Sequence, residues 1–315
     1  MDFNAMLPVV PASWNNRRVH FFKYMSLGTA KAVLTNGTLR WSTPGTLNDP
    51  YDVQFDLAIT ANRTKLRAAS LAKLWELFKG ERDVERGNRL GALVRALGTQ
   101  RPNLSREDFE KELGDGFEEG FDRMMAALPG VNAEIRQIMA DSKVLCLTTD
   151  PINTSMWAHY GELNRGAVLR FRSIVAFSSP FGMAKAVEYV EALPKLMDEA
   201  FLADMFAGLA SINPAVASHR MVFTKGIDWS YEREWRVFAG AGRNKSQAPE
   251  DLPFHELELD GLILGLAMPV ADRKDLEALA ARYPNVEMME AVRSSTGFRH
   301  EIRTLSGRAK ASTGG

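Results

Sequence analysis

The chain has 315 residues, with 39 basic and 39 acidic side chains and therefore a formal net charge of zero. Hydrophobic residues make up 45% and charged residues 25% of the composition, which is close to the globular average and excludes a wholly disordered or fibrous chain. Zero net charge also removes the broad attraction to phosphate that nonspecific nucleic-acid binders use, although a local basic groove is compatible with it.

Cysteine usage and hydropathy indicate the compartment. Cys146 is the only cysteine, so no intrachain disulfide can form, and a reducing compartment is indicated. No stretch approaches the ~20 apolar residues that span a bilayer, and the start of the chain lacks the features of a signal peptide. We therefore expect a cytoplasmic protein without a membrane partner. The five histidines lack metal-ligand spacing, so no metal is expected.

The first elements are predicted to alternate between strand and helix. An aromatic strand at 19–24 precedes a helix at 27–34, and Asn36-Gly37 supplies the left-handed stop that ends such a helix. Residues 38–42 and 52–59 alternate like strands, and a turn-rich loop connects them.

Residues 64–140 have helical spacing and are predicted to form an insertion between two groups of strands. Its row of Phe109, Leu113, Phe117 and Phe121 is typical of a helix face packed in a core, and the alternative is a partner groove or ligand lid. Further predicted strands cover 143–148, 166–171, 186–190, 231–238, 255–266, 286–292 and 298–305, with helices at 194–223 and 272–281.

This order predicts an α+β fold with a mixed, mainly antiparallel sheet. We expect a single domain over 1–305 and a disordered tail over 306–315.

The segment 231–238 concentrates charged side chains. If it is a strand, period two places Glu232, Glu234 and Arg236 on one face. A rigid strand with two carboxylates can hold one beside a developing cation and the other beside an incoming nucleophile. The alternative is an edge strand with solvated charges and one cross-strand ion pair.

An aromatic cluster follows the strand predicted at 143–148. Trp157 and Tyr160 are three residues apart, so one helical turn would place both rings on the same side as a wall for a flat ligand. The alternative is that both pack into the core under a loop. His159 is a candidate proton carrier, although a lone histidine is more often a hydrogen-bonded structural group.

The turn-rich loop and the first strands offer a third group of candidates. Asn48 and Asp49 precede a proline, a pattern typical of turn initiation that leaves a ligand role open. Lys23, Tyr24 and Ser42 lie at the ends of the first two predicted strands, where they could point into a cleft.

Several motifs in a fixed order resemble the bacterial family catalogued as domain of unknown function 2971. The motifs are Phe22-Lys23-Tyr24, Leu39-Arg40-Trp41-Ser42, Asn48-Asp49-Pro50-Tyr51-Asp52, Val144-Leu145-Cys146-Leu147, Met156-Trp157-Ala158-His159-Tyr160, Gly166-Ala167-Val168-Leu169-Arg170-Phe171 and Tyr231-Glu232-Arg233-Glu234-Trp235-Arg236. Lys225, four residues before Trp229, is similar to the family's Lys then Trp-x-Tyr-Glu pattern. The resemblance covers roughly 19–305.

The order of elements is more distantly similar to the ADP-ribosyltransferase superfamily, which includes DNA-targeting bacterial toxins. In that superfamily nicotinamide leaves NAD through an oxocarbenium-like state, which a strand-borne glutamate stabilises. The resemblance implies a split sheet, with Glu234 as that glutamate and Glu232 as the residue that orients the acceptor. It implies that Tyr24 or Trp157 stacks on nicotinamide and that Ser42 supports NAD. The implied NAD-binding residues are Lys23, Tyr24, Ser42, Asn48, Asp49, Trp157, His159, Tyr160 and Arg236.

The leading hypothesis is an NAD-consuming ADP-ribosyltransferase-like enzyme, a toxin or phage-defence effector that modifies nucleic acid or protein and could have an antitoxin or regulatory partner. Two alternatives stay open. One is a noncatalytic module that senses a nucleotide or peptide. The other is a metal-dependent hydrolase or nuclease that uses Asp49, Asp52 and Glu234 around a divalent cation.

Overall fold

The computed structural model describes residues 11–53, 59–193, 197–211 and 220–305. Its strands are β1 (His20–Met25), β2 (Thr38–Trp41), β3 (Val144–Thr148), β4 (Ala167–Arg172), β5 (Lys185–Ala186), β6 (Glu188–Val190), β7 (Thr224–Gly226), β8 (Glu234–Phe238), β9 (Glu250–Pro253), β10 (Leu259–Leu264), β11 (Glu287–Arg293) and β12 (His300–Thr304). Its α-helices are α1 (Leu27–Asn36), α2 (Arg63–Lys79), α3 (Arg89–Gln100), α4 (Arg106–Asp141), α5 (Thr154–His159), α6 (Glu199–Phe206) and α7 (Val270–Ala280).

The chain divides into two compact units. The sheet unit comprises Met1–Val53, Ala140–Glu191 and Phe223–Gly315, and the helical unit comprises Gln54–Met139 and Ala192–Val222. The prediction of a single domain with a helical insertion stays a prediction.

The sheet unit contains an eight-stranded sheet in the order β12-β11-β10-β4-β1-β3-β8-β5. Only the β10–β11 pair in it is parallel, and the other paired neighbours are antiparallel. Two small sheets, β2–β9 and β6–β7, complete the described strands. The protein therefore has an α+β fold with a mixed, mainly antiparallel sheet, as the sequence predicts.

Both faces of the large sheet are covered by buried side chains. Neighbouring residues of β4 belong to different clusters, because Val168 packs with Tyr24 and Trp157 while Leu169 packs with Phe21. This alternation follows from the period of two along a strand. The central strands are thus held rigidly, and they can fix side chains at their ends.

Helix α1 begins and ends where the sequence predicts. The Ser26 side chain accepts a hydrogen bond from the Thr29 backbone N–H, and Gly37 closes the helix in the left-handed conformation at φ 66°. The chain can then turn directly into β2, which leads to the loop at 43–52.

The predicted strand at 231–238 is wrong in its first part. Residues Ile227–Glu232 form a 3-10 helix, Arg233 adopts a left-handed conformation at φ 46°, and only Glu234–Phe238 are strand. The hydroxyl of Thr148 donates to the Glu232 carbonyl oxygen at 2.6 Å, which secures this turn against β3. Simple alternation therefore does not set the direction of the Glu232 side chain.

Other predicted elements are shorter in the structure. The strand predicted at 255–266 covers Leu259–Leu264, and the strand predicted at 186–190 is divided between β5 and β6. In the helix predicted at 194–223, α6 covers Glu199–Phe206, Gly208 follows at φ 71°, and residues 220–222 are again helical.

Some predictions lie wholly or partly outside the described residues. Of the strand predicted at 52–59, the first two residues form a turn and 54–58 are not described. Residues 194–196 and 212–219 of the predicted helix and the tail at 306–315 are likewise outside the described part.

The helical unit has its own core. Phe109, Phe117 and Phe121 of α4 are buried, which confirms that this row is a core face. Among the described residues, no helix has both the length and the apolar character that a membrane crossing requires.

Candidate active site

A pocket of about 280 Å³ lies within the sheet unit. Its lining residues are Phe22, Lys23, Tyr24, Ser42, Thr46, Leu47, Asn48, Asp52, Cys146, Leu147, Thr148, Met156, Tyr160, Lys225, Glu232 and Glu234. Seven residues proposed from the sequence are among them: Lys23, Tyr24, Ser42, Asn48, Tyr160, Glu232 and Glu234. The structure therefore brings most of the predicted site together.

Strand register explains how these residues meet. Phe22 of β1 is paired with Thr148 of β3, and Thr148 is paired with Glu234 of β8. Cys146 and Arg236 form the next pair on the same face, since side chains two residues apart share a face. Three adjacent strands thus place one carboxylate and one guanidinium below the pocket.

Five charged side chains form a buried network, here called the charge cluster: Asp52, Lys225, Glu232, Glu234 and Arg236. Each of the five is no more than 5% exposed. They come from a loop, a strand, a 3-10 helix and another strand, so the fold and not local sequence assembles them. Burying so many charges is costly unless they are paired and hydrogen-bonded, which makes the cluster a marked feature of this fold.

Arg236 is the centre of the cluster and is fully buried. Its Nε donates to Glu234 Oε1 and its Nη2 donates to Glu234 Oε2, both at 2.8 Å. On its other side, Nη1 and Nη2 donate to the two carboxylate oxygens of Asp52 at 2.7 and 2.5 Å. One planar guanidinium therefore fixes two carboxylates in a bidentate manner, a geometry that a lysine could not reproduce.

Lys225 joins the third carboxylate to the cluster. Its Nζ donates to Glu232 Oε2 at 2.6 Å and to Glu234 Oε2 at 3.2 Å, and it lies 3.6 Å from Asp52 Oδ2. Burial disfavours the charged ammonium, but the three carboxylates outweigh that effect and raise the pKa of Lys225. The ammonium is therefore permanently charged at neutral pH.

The two glutamates are electrostatically unequal. Burial alone would raise the pKa of Glu234, but the charge and hydrogen bonds of Arg236, together with Lys225, lower it to about 2. Burial and the charge of Glu234 raise the pKa of Glu232, and Lys225 only partly opposes them. Glu234 is thus held ionised, whereas Glu232 takes up a proton more readily than an ordinary glutamate.

The three carboxylates outnumber the two cationic groups of the cluster by one. The Lys23 ammonium also lies on the pocket wall, where it donates to the Cys146 carbonyl oxygen at 2.8 Å. Burial lowers the pKa of Lys23, which weakens its compensation of the excess negative charge. The pocket can therefore favour positive charge that develops beside the glutamates.

Tyr160 and Asn48 form a hydrogen-bonded chain to Glu232. The Tyr160 hydroxyl donates to Glu232 Oε1 at 2.5 Å, and the Asn48 amide donates to the Tyr160 oxygen at 2.8 Å. Burial and the neighbouring Glu232 carboxylate raise the pKa of Tyr160, so its hydroxyl remains a donor. This series of hydrogen bonds fixes Glu232 Oε1, the carboxylate oxygen that Lys225 does not bind.

Four residues proposed from the sequence do not line the pocket. Arg236 lies beneath it in the charge cluster, and Trp157 is fully buried with its indole N–H donating to the Pro151 carbonyl oxygen. Trp157 therefore supports the pocket through an edge contact with the Tyr24 ring, at 5.2 Å between centroids, and does not present a face for stacking.

His159 and Asp49 are the other two predicted residues that do not line the pocket. His159 is exposed and its Nδ1 lies 3.0 Å from the Tyr231 hydroxyl oxygen. Asp49 is buried, and its carboxylate accepts a hydrogen bond from the Tyr51 backbone N–H. That contact is the turn-forming role that the sequence leaves open for Asp49.

Sequence reasoning did not propose two members of the charge cluster as site residues of the leading hypothesis, Asp52 and Lys225. Asp52 enters the sequence analysis only as a candidate metal ligand, and Lys225 only as part of a family-like pattern. The signal in the sequence that points to Lys225 is its short separation of seven residues from Glu232, since a turn between them can bring the two side chains into contact. The turn that brings them together is not visible in the sequence.

The carboxylates are not arranged for a metal. Within the part of the chain that the structure describes, no group of three or more histidine, cysteine, aspartate or glutamate side chains has a metal-binding arrangement. Asp52 and Glu234 both bind Arg236 instead.

The site can thus hold an ionised carboxylate near a developing cation, with a second carboxylate available as a proton acceptor. Comparisons of the chain with protein-family models, with curated proteins and with solved structures found no match.

Proposed function

We propose that the protein is an NAD-consuming ADP-ribosyltransferase-like enzyme. The observation that carries the proposal is a pair of adjacent carboxylates on one pocket wall in unequal surroundings: Arg236 binds both oxygens of Glu234, whereas Lys225 and Tyr160 bind those of Glu232. Environments that separate the pKa values of a carboxylate pair are typical of sites where the two groups have different catalytic roles. The sequence resemblance to the superfamily points to the same two residues.

In the proposed reaction, the bond between ribose C1′ and the nicotinamide nitrogen breaks, and nicotinamide leaves with the bonding electron pair. Glu234 stabilises the positive charge that develops on the ribose, because it is ionised in a pocket that water screens poorly. An acceptor oxygen or nitrogen then forms a bond to C1′, and its proton passes to Glu232. No further reactant is required.

The pocket is suited to part of the dinucleotide. At about 280 Å³, it is slightly below the range of about 300–1,000 Å³ that is usual for ligand pockets, so it would hold the nicotinamide riboside end. Tyr24 and Ser42 on its wall are the candidates for contacts with nicotinamide and ribose. The acceptor is a nucleic acid or a protein, and we assign the activity to a cytoplasmic toxin or phage-defence effector with an antitoxin or regulatory partner.

Nicotinamide release tests the proposal. Purified protein with NAD and with nucleic-acid and protein acceptors is expected to release nicotinamide, measured by chromatography. Glu234→Gln should reduce the rate about 100-fold or more, since it removes an electrostatic contact made in the transition state. Glu277→Gln is a matched control on the exposed face of α7 and should leave the rate unchanged. No nicotinamide release and no NAD-induced thermal shift by the wild-type protein would refute the proposal.

A second candidate is a noncatalytic nucleotide or peptide sensor. It is favoured by one observation, that both carboxylate oxygens of Glu234 already accept hydrogen bonds from Arg236. This function predicts ligand-induced stabilisation without turnover, and Glu234→Gln that still binds the ligand. Calorimetric titration with NAD, combined with the release assay, separates the two functions.

A further inference from the structure

Lys225 has a position that the proposed reaction does not yet use. Its ion pairs reach all three carboxylates of the charge cluster, at 2.6 Å to Glu232, 3.2 Å to Glu234 and 3.6 Å to Asp52. Arg236 forms direct ion pairs with Glu234 and Asp52. Lys225 is therefore the cationic link between Glu232 and the rest of the cluster.

We propose that Lys225 is a positioning residue that divides the roles of the two glutamates: it orients Glu232 as the proton acceptor while it helps to keep Glu234 ionised. This inference rests on the proposed function. Because Lys225 binds Glu232 Oε2 and Tyr160 binds Glu232 Oε1, the carboxylate is held from both sides. Its plane is thus fixed before an acceptor arrives.

The surroundings of Lys225 hold its own position. Strand β7 pairs with β6, and this register places Lys225 opposite Tyr189, whose hydroxyl oxygen accepts a hydrogen bond from the Glu234 backbone N–H. The ammonium also lies 4.8 Å from the centroid of the Trp229 ring, a distance at which a cation is attracted to the ring face. The three carboxylates, Tyr189 and Tyr231 are titratable groups beside Lys225. Tyr160, Cys146, Lys23 and Arg236 act in turn on these carboxylates.

Because of this arrangement, removing the charge of Lys225 should change the pKa of Glu232 in a definite direction. An opposite charge within about 4–6 Å typically changes a carboxyl pKa by about 1–3 units. Without the ammonium, ionised Glu232 loses its main attractive partner while the repulsion from Glu234 remains. The pKa of Glu232 should then rise further, and Glu232 should be protonated over a wider range of pH.

The first experiment measures the pH dependence of nicotinamide release. In Lys225→Met, the acidic limb of the profile of kcat/KM should move upward by about one pH unit or more, whereas Lys225→Arg keeps the charge and should retain the wild-type limb. Lys274→Met on the exposed face of α7 is the control and should change nothing. A rate that falls by the same factor at every pH in Lys225→Met would show a structural role only and would overturn the inference.

A second measurement does not depend on turnover. Protein labelled with ¹³C at the glutamate carboxyl carbons can be titrated by NMR, and Glu232→Gln assigns the Glu232 resonance. The Glu232 midpoint should rise in Lys225→Met, and an unchanged midpoint would overturn the inference. If Lys225→Met does not fold, Lys225→Gln takes its place in both measurements. Absence of NAD turnover by the wild-type protein would refute the proposed function, and the NMR titration would still decide the role of Lys225.

Discussion

At the residue scale, the described part of the chain includes two bidentate aspartate–arginine pairs in opposite environments. Asp52 binds Arg236 where neither side chain is more than 1% exposed, whereas Asp251 binds Arg40 where the side chains are 47% and 61% exposed. Arg236 binds Asp52 through Nη1 and Nη2, and Arg40 binds Asp251 through Nε and Nη2, so both pairs are bidentate but they differ strongly in burial. Removing one partner of a buried pair leaves hydrogen-bonding groups that water cannot reach.

Asp52→Asn is therefore expected to lower the free energy of unfolding by about 1–3 kcal/mol, because two buried N–H groups of Arg236 lose a charged acceptor while Glu234 still compensates the guanidinium charge. Asp251→Asn should change it by less than about 1 kcal/mol, since exposed pairs contribute little. Urea denaturation followed by circular dichroism measures both. Equal effects of the two substitutions would contradict the view that the buried cluster carries the greater energy.

The lowered pKa of Glu234 also predicts how the stability of the protein depends on pH. Its pKa is about 2 in the folded protein, below the ordinary 4.5, so its contribution is present above pH 4.5 and is lost as the pH falls toward 2. The stability difference between the wild-type protein and Glu234→Gln should therefore shrink as the pH is lowered through this window. Denaturation at a series of pH values, over the range where both proteins fold, measures it. A difference that stays constant with pH would show that Glu234 is not held ionised.

The sequence predicts individual site residues where the chemistry is local. Glu234 and Arg236 are two apart on a strand, so their shared face follows from the pattern, and the structure confirms their pairing. Asp52 and Lys225 join the same cluster from distant parts of the chain. Long-range contacts of this kind depend on strand order and on loop paths, which a single sequence does not encode in any local pattern.

At the element scale, helix α1 has one glycine in its first turn and another directly after its last residue, and the two can be compared. Gly37 ends the helix at φ 66°, where a side chain is strained, whereas Gly28 lies in the first turn with no atom within 4 Å of the position that a Cβ would take. The two glycines therefore differ in the backbone conformation that they must adopt.

Gly37→Ala is expected to lower the free energy of unfolding by about 1–2 kcal/mol, the cost of a left-handed residue with a Cβ. Gly28→Ala should leave it unchanged or raise it by up to about 1 kcal/mol, because alanine favours helix. Thermal unfolding of both variants measures the contrast. If the two substitutions have the same effect, the left-handed cap does not limit the stability of this helix.

Prediction of the elements succeeds or fails for physical reasons. Helix α1 is recognised because its stop signal is local, with Gly37 directly after the last helical residue. Tyr231 and Glu232 are predicted as the start of a strand because aromatic and charged residues alternate from 231 onward, but they form the end of the 3-10 helix Ile227–Glu232. Strands β5 and β7 have only two and three residues, which is too short for a periodic signal.

At the scale of the whole molecule, each of the two units has its own buried aromatic cluster. In the helical unit, Phe109 is fully buried, and its ring centroid lies 5.1 Å from that of Trp75 and 5.0 Å from that of Phe78. In the sheet unit, Phe171 is fully buried and lies 5.3 Å from Phe181 by the same measure. Separate cores of this kind can open as separate cooperative units.

We therefore expect the two cores to respond independently to truncation. Phe109→Ala should destabilise its own core by about 3–5 kcal/mol and increase amide hydrogen exchange in α2 and α4, while β1, β3 and β4 keep their protection. Phe171→Ala should give the reverse pattern, and it serves as the matched control because both rings are fully buried. Native-state hydrogen exchange with mass spectrometry measures both variants. If either substitution increases exchange equally in both units, the chain unfolds as one cooperative body and the expectation of independent cores is wrong.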